Sequence, residues 1–98
     1  MNLTFYRKVL HQVCKDKELK RVEVELLLFG SGLDYFSQNN LFNHFPASRT
    51  TIIYALQKLT DEGYLKIVRK RSKHKSRLYR ISGKSRRITN EIYNQLNY

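Results

Sequence analysis

The chain has 98 residues, of which 41% are hydrophobic and 12% aromatic, and its formal net charge is +11 at pH 7. This length and composition predict one small domain, 1–98, whose modest apolar core gains stability when two copies pair. They exclude an internal disulfide, because Cys14 is the one cysteine, and a transmembrane span, because no apolar run is long enough.

The first third of the chain predicts two amphipathic helices. Apolar residues recur at helical spacing from Leu3, which predicts a helix over 3–15. A second broad apolar face predicts a helix over 19–29, and the sequence Gly30-Ser31-Gly32 is expected to end it. We therefore assign two N-terminal helices to this region.

Cys14 lies within the first predicted helix. A lone cysteine on a helix is usually a small packed hydrophobe, and we prefer this interpretation to redox sensing. Charged residues interrupt the N-terminal segment, which lacks the apolar core of a signal peptide. We therefore expect a reducing, cytoplasmic location.

Two helices separated by a tight turn follow. After an extended piece at 34–36, Ser37 is placed to cap a helix of about two turns, and Pro46 ends that helix. Ser48 is placed to cap a second helix, whose apolar residues share one face and which Gly63 terminates. Two helices joined by a tight turn are what a helix-turn-helix requires.

The next segment changes from a helical to an alternating apolar pattern, which predicts two strands. Leu65 and Ile67 share one face of the first strand, and Arg77, Tyr79 and Ile81 share one face of the second. The loop between them is polar and cationic. The segment therefore predicts a β-hairpin with a basic tip.

The C-terminal segment predicts a last amphipathic helix from about Gly83 to Asn97, with Ser82 as its cap. Its apolar stripe and that of the first helix would stay partly wet in a small monomer. The residues of the two stripes are Leu3, Tyr6, Leu10, Ile88, Ile92 and Leu96. We therefore predict a homodimer formed by the first and last helices.

The positive charge is concentrated in one segment. Eleven lysines and arginines lie from Lys66 to Arg87 with no acid among them, and the other eight bases match the eight acids. Such a patch attracts a polyanion, although charge alone is equally compatible with a solubilising surface. Its position on a hairpin that follows a helix-turn-helix favours nucleic acid.

The order of these elements resembles the winged-helix repressors of the MarR (multiple antibiotic resistance regulator) family. The resemblance covers roughly 34–91 and is carried by FSQNNLFNHF, by SRTTIIYALQKLTDEGYL, and by RLYRIS followed by a new helix. It implies an α+β, mainly helical, winged helix-turn-helix fold with a two- to three-stranded antiparallel β-wing. The corresponding divisions are 1–32 for the N-terminal helices, 37–63 for the helix-turn-helix, 64–82 for the wing and 83–98 for the C-terminal helix. PadR-like proteins and winged-helix proteins of viruses and plasmids are similar as well.

Two features depart from the family pattern. The family hairpin usually carries an acid two residues before a minor-groove arginine, and the corresponding positions here are Lys73 and Lys75. The residue that enters the minor groove therefore stays open. The chain also lacks the long C-terminal helices that complete the family's dimerisation domain and effector pocket, so we do not expect small-molecule sensing of the family type.

The second helix of the motif is the predicted recognition helix. If its apolar residues face the core, its opposite side presents Arg49, Thr50, Ile53, Tyr54, Gln57 and Lys58. Arg49 could bind a guanine edge, Thr50 a base or a phosphate, and Ile53 a thymine methyl. Lys58 is expected to neutralise backbone phosphate. The alternative for Ile53 is packing under the wing.

The hairpin supplies the second predicted contact, along phosphates and into a narrow minor groove. Its candidate residues are Arg69, Arg71, Lys73, His74, Lys75 and Arg77. Ser48 completes the predicted set beside the recognition helix, and Arg86 and Arg87 add phosphate contacts. The expected partners are double-stranded DNA and a second copy of the chain, with no membrane.

Signals for other chemistry are weak. The three histidines are scattered, and the sequence has no metal-ligand spacing, phosphate loop or nucleophile motif. We therefore predict no enzymatic activity and no cofactor. The predicted function is a sequence-specific, repressor-like transcriptional regulator. The alternatives are a replication or copy-control factor of a virus or plasmid, and an adaptor whose recognition helix docks on an acidic protein.

Overall fold

The computed structural model describes residues 3–70, 72–73 and 75–97. Within these residues the chain forms five helices and one three-stranded antiparallel sheet, which confirms the predicted α+β winged-helix fold. The elements are α1 (Leu3–Lys17), α2 (Arg21–Ser31), β1 (Phe36–Ser37), α3 (Gln38–His44), α4 (Arg49–Asp61), β2 (Leu65–Arg69), β3 (Leu78–Ile81) and α5 (Gly83–Leu96). None of these helices combines the length and apolarity that crossing a membrane demands.

The corner between α1 and α2 differs from the prediction, which began the second helix at Leu19. α1 ends at Lys17, and Glu18 adopts a left-handed backbone with φ of 56°. Leu19 then donates its backbone N–H to the Cys14 carbonyl at 3.0 Å, and its side chain is buried. Its apolar side chain therefore anchors the turn, and α2 begins at Arg21.

α2 ends within the predicted segment Gly30-Ser31-Gly32, with Gly32 as its C-cap, but Gly30 itself is still helical. Gly30 is buried where an added Cβ would lie 2.7 Å from the Phe36 ring and 2.9 Å from the Ile81 side chain. The glycine therefore lets the sheet approach α2 closely, which any larger residue would prevent. This contact fixes the wing against the helical core.

The sheet has the strand order β1-β3-β2. The predicted extended piece at 34–36 is displaced to Phe36–Ser37, because these two residues pair with Tyr79 and Leu78 of β3. Tyr79 and Ile81, which were predicted to share one face of the strand, both face the core. The wing is therefore joined to the segment before the helix-turn-helix as well as to the segment after it.

The outer half of β2 leaves the core. Ile67, which the alternating pattern places on the same face as Leu65, is 39% exposed, whereas Leu65 is buried. The register shifts between Ile67 and Arg69, and Arg77 precedes β3 instead of belonging to it. An irregularity of this kind bends a strand and increases its twist.

Three predicted helix caps are confirmed, at Ser37, Ser48 and Ser82. Each hydroxyl accepts a hydrogen bond from a backbone N–H three residues later. Gly63 follows α4 with φ of 81°, and the backbone N–H of Tyr64 donates to the Leu59 carbonyl at 2.8 Å. These are the features of a Schellman ending, in which glycine tolerates the left-handed position.

The apolar stripes assigned to a dimer interface lie largely inside the chain. Leu10, Ile88 and Ile92 are 1%, 4% and 0% exposed, because α1 and α5 pack on each other and on α2. The expectation that these three side chains stay wet in a monomer is therefore wrong. In the same stripes, Leu3 is exposed, and Tyr6 and Leu96 are half-buried.

Candidate nucleic-acid interface

α4 presents one face to the core and the other to solvent. The predicted inner residues Ile52, Ala55, Leu56 and Leu59 are at most 3% exposed. The Ser48 hydroxyl accepts the Thr51 N–H at 3.1 Å and lies 2.8 Å from the Thr51 hydroxyl. The exposed side chains of the helix include the predicted Arg49, Thr50, Ile53, Tyr54 and Gln57.

Aromatic side chains that were not among the predicted site residues hold the turn before α4. The Phe29 ring centre lies 4.4 Å from that of His44 and 5.8 Å from that of Phe45. The cluster joins the end of α2 to the end of α3 and so sets where α4 begins. The sequence signal for this cluster is the close spacing of Phe42, His44 and Phe45.

Arg49 occupies the first position of α4 and lies over an aromatic ring. Its guanidinium carbon is 5.0 Å from the centre of the Phe42 ring, which is a cation–π distance. No acceptor among the described residues receives a hydrogen bond from this guanidinium. Its N–H donors are therefore available to a ligand at the N-terminal end of α4.

Lys58 lies on the side of α4 that faces α2. Its ammonium donates to Glu23 Oε1 at 3.0 Å and to the Glu18 carbonyl at 3.4 Å. Glu23 is 2% exposed and also accepts the Lys20 backbone N–H at 2.7 Å. The hydrogen bond to Glu23 raises the pKa of Lys58 above its usual value. This lysine therefore fixes α4 to the start of α2, a contact that the sequence did not predict.

The base of the wing is closed by Arg69. Its guanidinium donates from Nε and Nη2 to the Ser76 carbonyl, at 3.3 Å and 2.8 Å. Ser72 and Lys75 form an isolated antiparallel bridge closer to the tip. The predicted phosphate contact of Arg69 therefore competes with a hydrogen bond inside the hairpin.

The structure describes three of the other predicted contact residues of the wing. Lys73, Lys75 and Arg77 are exposed. Arg71 and His74 were predicted as contacts too, and both lie outside the described residues. The exposed cations give the described part of the wing a positive surface.

α4 and the wing share a cleft of about 320 Å³. Ile53, Gln57 and Asp61 line it from α4, and Ile67, Arg77 and Tyr79 line it from the wing. Ile53 faces the wing, as expected of packing under it. It is also 42% exposed, as expected of a side chain that contacts a thymine methyl. The cleft brings the exposed face of α4 and the base of the wing onto one surface.

The start of α5 lies beside the corner between α4 and β2. The Lys84 ammonium is 4.1 Å from the centre of the Tyr64 ring and donates to the Glu62 carbonyl at 3.0 Å. Arg86 and Arg87 are exposed in the next positions. Exposed cations therefore also lie at the start of α5.

Other sites for chemistry are not evident in the described ranges. Cys14 is half-buried against the core, and burial raises the pKa of its thiol above the usual value. A raised pKa disfavours the reactive thiolate, as expected of a packed cysteine. Across residues 3–70, 72–73 and 75–97, histidine, cysteine and carboxylate side chains form no group of three that could hold a metal ion.

The sequence matches no protein-family model and no curated protein, whereas its fold matches several solved structures. Wild-type MarR from E. coli without ligand has a TM-score of 0.77 at 9% identity, over 94% of this chain and 68% of that one. A cysteine-to-serine mutant of E. coli MarR in complex with operator DNA has a TM-score of 0.74 at 9% identity, over 93% and 65%. The adhesin competence repressor AdcR from Streptococcus pyogenes has a TM-score of 0.71 at 12% identity, over 86% and 62%.

The chain thus spans about two thirds of the length of these structures. Identities of this size show a shared fold, and the shared part includes the helix-turn-helix and the sheet. The chain therefore has a MarR-like winged-helix fold.

Proposed function

We propose that this chain is a sequence-specific, repressor-like transcriptional regulator that binds double-stranded DNA. In this proposal α4 lies in the major groove, and the wing follows the phosphates into the minor groove. The observation that carries it is the surface on which the exposed face of α4 and the basic wing border one cleft. A major groove about 12 Å wide admits an α-helix, and the cations of the wing meet the phosphates.

The distribution of charge along α4 supports insertion by its N-terminal half. Arg49 lies at the first position, whereas Asp61 and Glu62 lie exposed at the other end. Phosphates would repel these two acids, so the C-terminal end of α4, including the side of the cleft that Asp61 lines, is expected to point away from the backbone. The MarR mutant whose fold this chain shares was crystallised with operator DNA, which supports the same use of the fold here.

The roles follow from position and available donors. Arg49, Thr50, Ile53 and Tyr54 would contact base edges, with Gln57 towards the phosphates. Ser48 acts mainly by capping α4. The exposed cations of the wing would contact phosphates without reading sequence. Lys58 is left out, since its ammonium already pairs with buried Glu23.

We also propose that the chain binds DNA as a homodimer, on a palindromic site that places the two copies of α4 about 34 Å apart. Leu3 and Phe5 of α1 and Tyr93 of α5 are large side chains exposed on the two helices predicted to pair. These three exposed side chains, and not the buried Leu10, Ile88 and Ile92, are the candidate contacts of the dimer. Pairing would remove their apolar surface from water.

The experiment that tests the function is selection of bound duplexes from a random library, followed by salt titration of selected and random duplexes. We expect a palindromic consensus and an affinity whose logarithm falls with the logarithm of salt concentration by about 0.9 per phosphate contact. No binding at low salt would contradict the proposal and favour an adaptor for an acidic protein. Bound sites at origins instead of promoters in the source genome would indicate a replication factor.

A further inference from the structure

Arg49 differs from other basic residues around α4 in how its side chain is held. Arg69, Lys58 and Lys84 each donate hydrogen bonds to oxygens of the protein. Arg49 lies instead over the ring of Phe42, 5.0 Å from its centre. A cation–π contact orders a guanidinium without engaging its N–H donors in a hydrogen bond. Arg49 is therefore ordered and still able to donate.

Phe42 is suited to be a fixed platform. It belongs to α3, follows the fully buried Leu41, and packs partly against the core. The cap at Ser37 fixes the start of α3, and the aromatic cluster fixes its end. A phenylalanine has two rotatable side-chain bonds, so ordering its ring against the core costs little conformational entropy. An arginine without such a platform would lose its conformational entropy when DNA binds, which would weaken binding.

We propose that Phe42 is a positioning residue for base recognition, which holds the guanidinium of Arg49 so that its paired donors meet O6 and N7 of a guanine. Bidentate recognition needs a planar donor group in a fixed orientation, which distinguishes arginine from lysine. The ring also offsets the cost of placing a cation at the positive end of a helix. This inference rests on the proposed function, because it concerns how the same surface reads sequence.

The test is a double-mutant cycle measured on the selected duplex and on random duplex. Phe42→Leu keeps an apolar side chain against the core, Phe42→Tyr keeps the ring, and Arg49→Ala removes the guanidinium. We expect Phe42→Leu to weaken binding to the selected duplex by about two- to fivefold, to leave random duplex unchanged, and to have no further effect beside Arg49→Ala. Phe42→Tyr should bind as the wild type does. An equal loss from Phe42→Leu in both backgrounds would overturn the proposal, because Phe42 would then act through the fold alone.

A second measurement does not need a folded variant or DNA. Side-chain protons of Arg49 that lie over the Phe42 ring should be shifted upfield in the NMR spectrum of the free wild-type protein. Unshifted protons would overturn the proposal. A chain that selects a sequence but shows no coupling between the two residues would refute this inference alone. A chain that binds no DNA, or that binds all duplexes alike, would refute both the proposed function and this inference.

Discussion

At the first position of α4, stability and binding make opposite demands on the side chain. The N-terminus of a helix carries partial positive charge and is stabilised by acids. α4 has no acid in its first turn and has Arg49 there instead. The same positive end that disfavours a cation in the free protein attracts an anionic ligand. Arg49 is therefore better explained by binding than by folding.

This conflict predicts that Arg49→Glu is more stable than Arg49→Ala by about 0.3 to 1 kcal/mol, although it binds DNA more weakly. Both variants lack the contact with Phe42, so their difference isolates the interaction with the helix terminus. Urea unfolding and duplex titration measure the two effects. As a control, Gln57→Glu places the same charge late in α4 and should give no such gain in stability. Equal or lower stability of Arg49→Glu would contradict the helix-terminus argument.

At the scale of elements, contacts within a turn or two could be predicted and contacts across the fold could not. The caps and the buried face of α4 depend on residues adjacent in the chain, so their spacing indicates them directly. Lys58 and Glu23 are 35 residues apart, and nothing local distinguishes Lys58 from a lysine that binds phosphate. Gly30 likewise stands in a Gly-Ser-Gly sequence that is typical of a helix end. Its role, however, depends on how closely the sheet approaches α2, which involves residues distant in the chain.

The pair of Lys58 and Glu23 predicts a pH-dependent link between α4 and α2. Lys58→Met should reduce the free energy of unfolding by about 1 to 3 kcal/mol at neutral pH, because Glu23 stays buried without its cation. The Lys58 side chain is 35% exposed, so solvent screens part of the attraction. Because the pKa of Lys58 is raised in the folded state, the contribution is complete below the ordinary lysine pKa of about 10.4 and is lost as pH rises through the folded-state value.

Urea unfolding from neutral to alkaline pH measures this difference. Lys8→Met removes an exposed lysine of α1 and should cost little at any pH. The salt dependence of DNA binding should be the same for Lys58→Met and wild type, since we assign this ammonium no phosphate. A stability difference that grows above pH 10 would contradict the ion-pair argument, and a smaller salt slope would return Lys58 to the interface.

At the scale of the whole molecule, the wing should contribute affinity without specificity. Replacing Lys73 and Lys75 with alanine should weaken binding to selected and random duplexes alike, and reduce the salt slope by about one for each phosphate contact removed. Replacing Lys8 and Lys15 of α1 removes the same net charge outside the wing. Salt titration of both variants separates the two cases. Equal slopes for them would show that net charge, and not the position of the wing, governs binding.

The sequence predicts where the positive charge lies, but it does not predict what buries the apolar stripes of α1 and α5. Eleven bases without an acid in one segment are visible in the sequence itself. An apolar stripe, in contrast, looks the same whether its own chain or a second copy covers it. Ile92 was expected at an interface and is fully buried within the chain, so a charge there would unfold the protein. The dimer must therefore be tested at side chains that the chain leaves exposed.

Leu3→Glu combined with Phe5→Glu is the variant that tests the dimer. Both side chains are exposed, and α1 has no acid in its first turn, so the added charges agree with the helix dipole and should not unfold the chain. Light scattering at micromolar concentration should give a dimer for the wild type and a monomer for this variant. Tyr35 is an exposed aromatic residue outside α1 and α5, so the control variant Tyr35→Glu should remain dimeric.

The monomeric variant should bind a half-site as the wild type does but lose affinity for the palindrome, because two linked contacts become independent. A wild type that is monomeric and still binds the palindrome at full affinity would contradict the dimer.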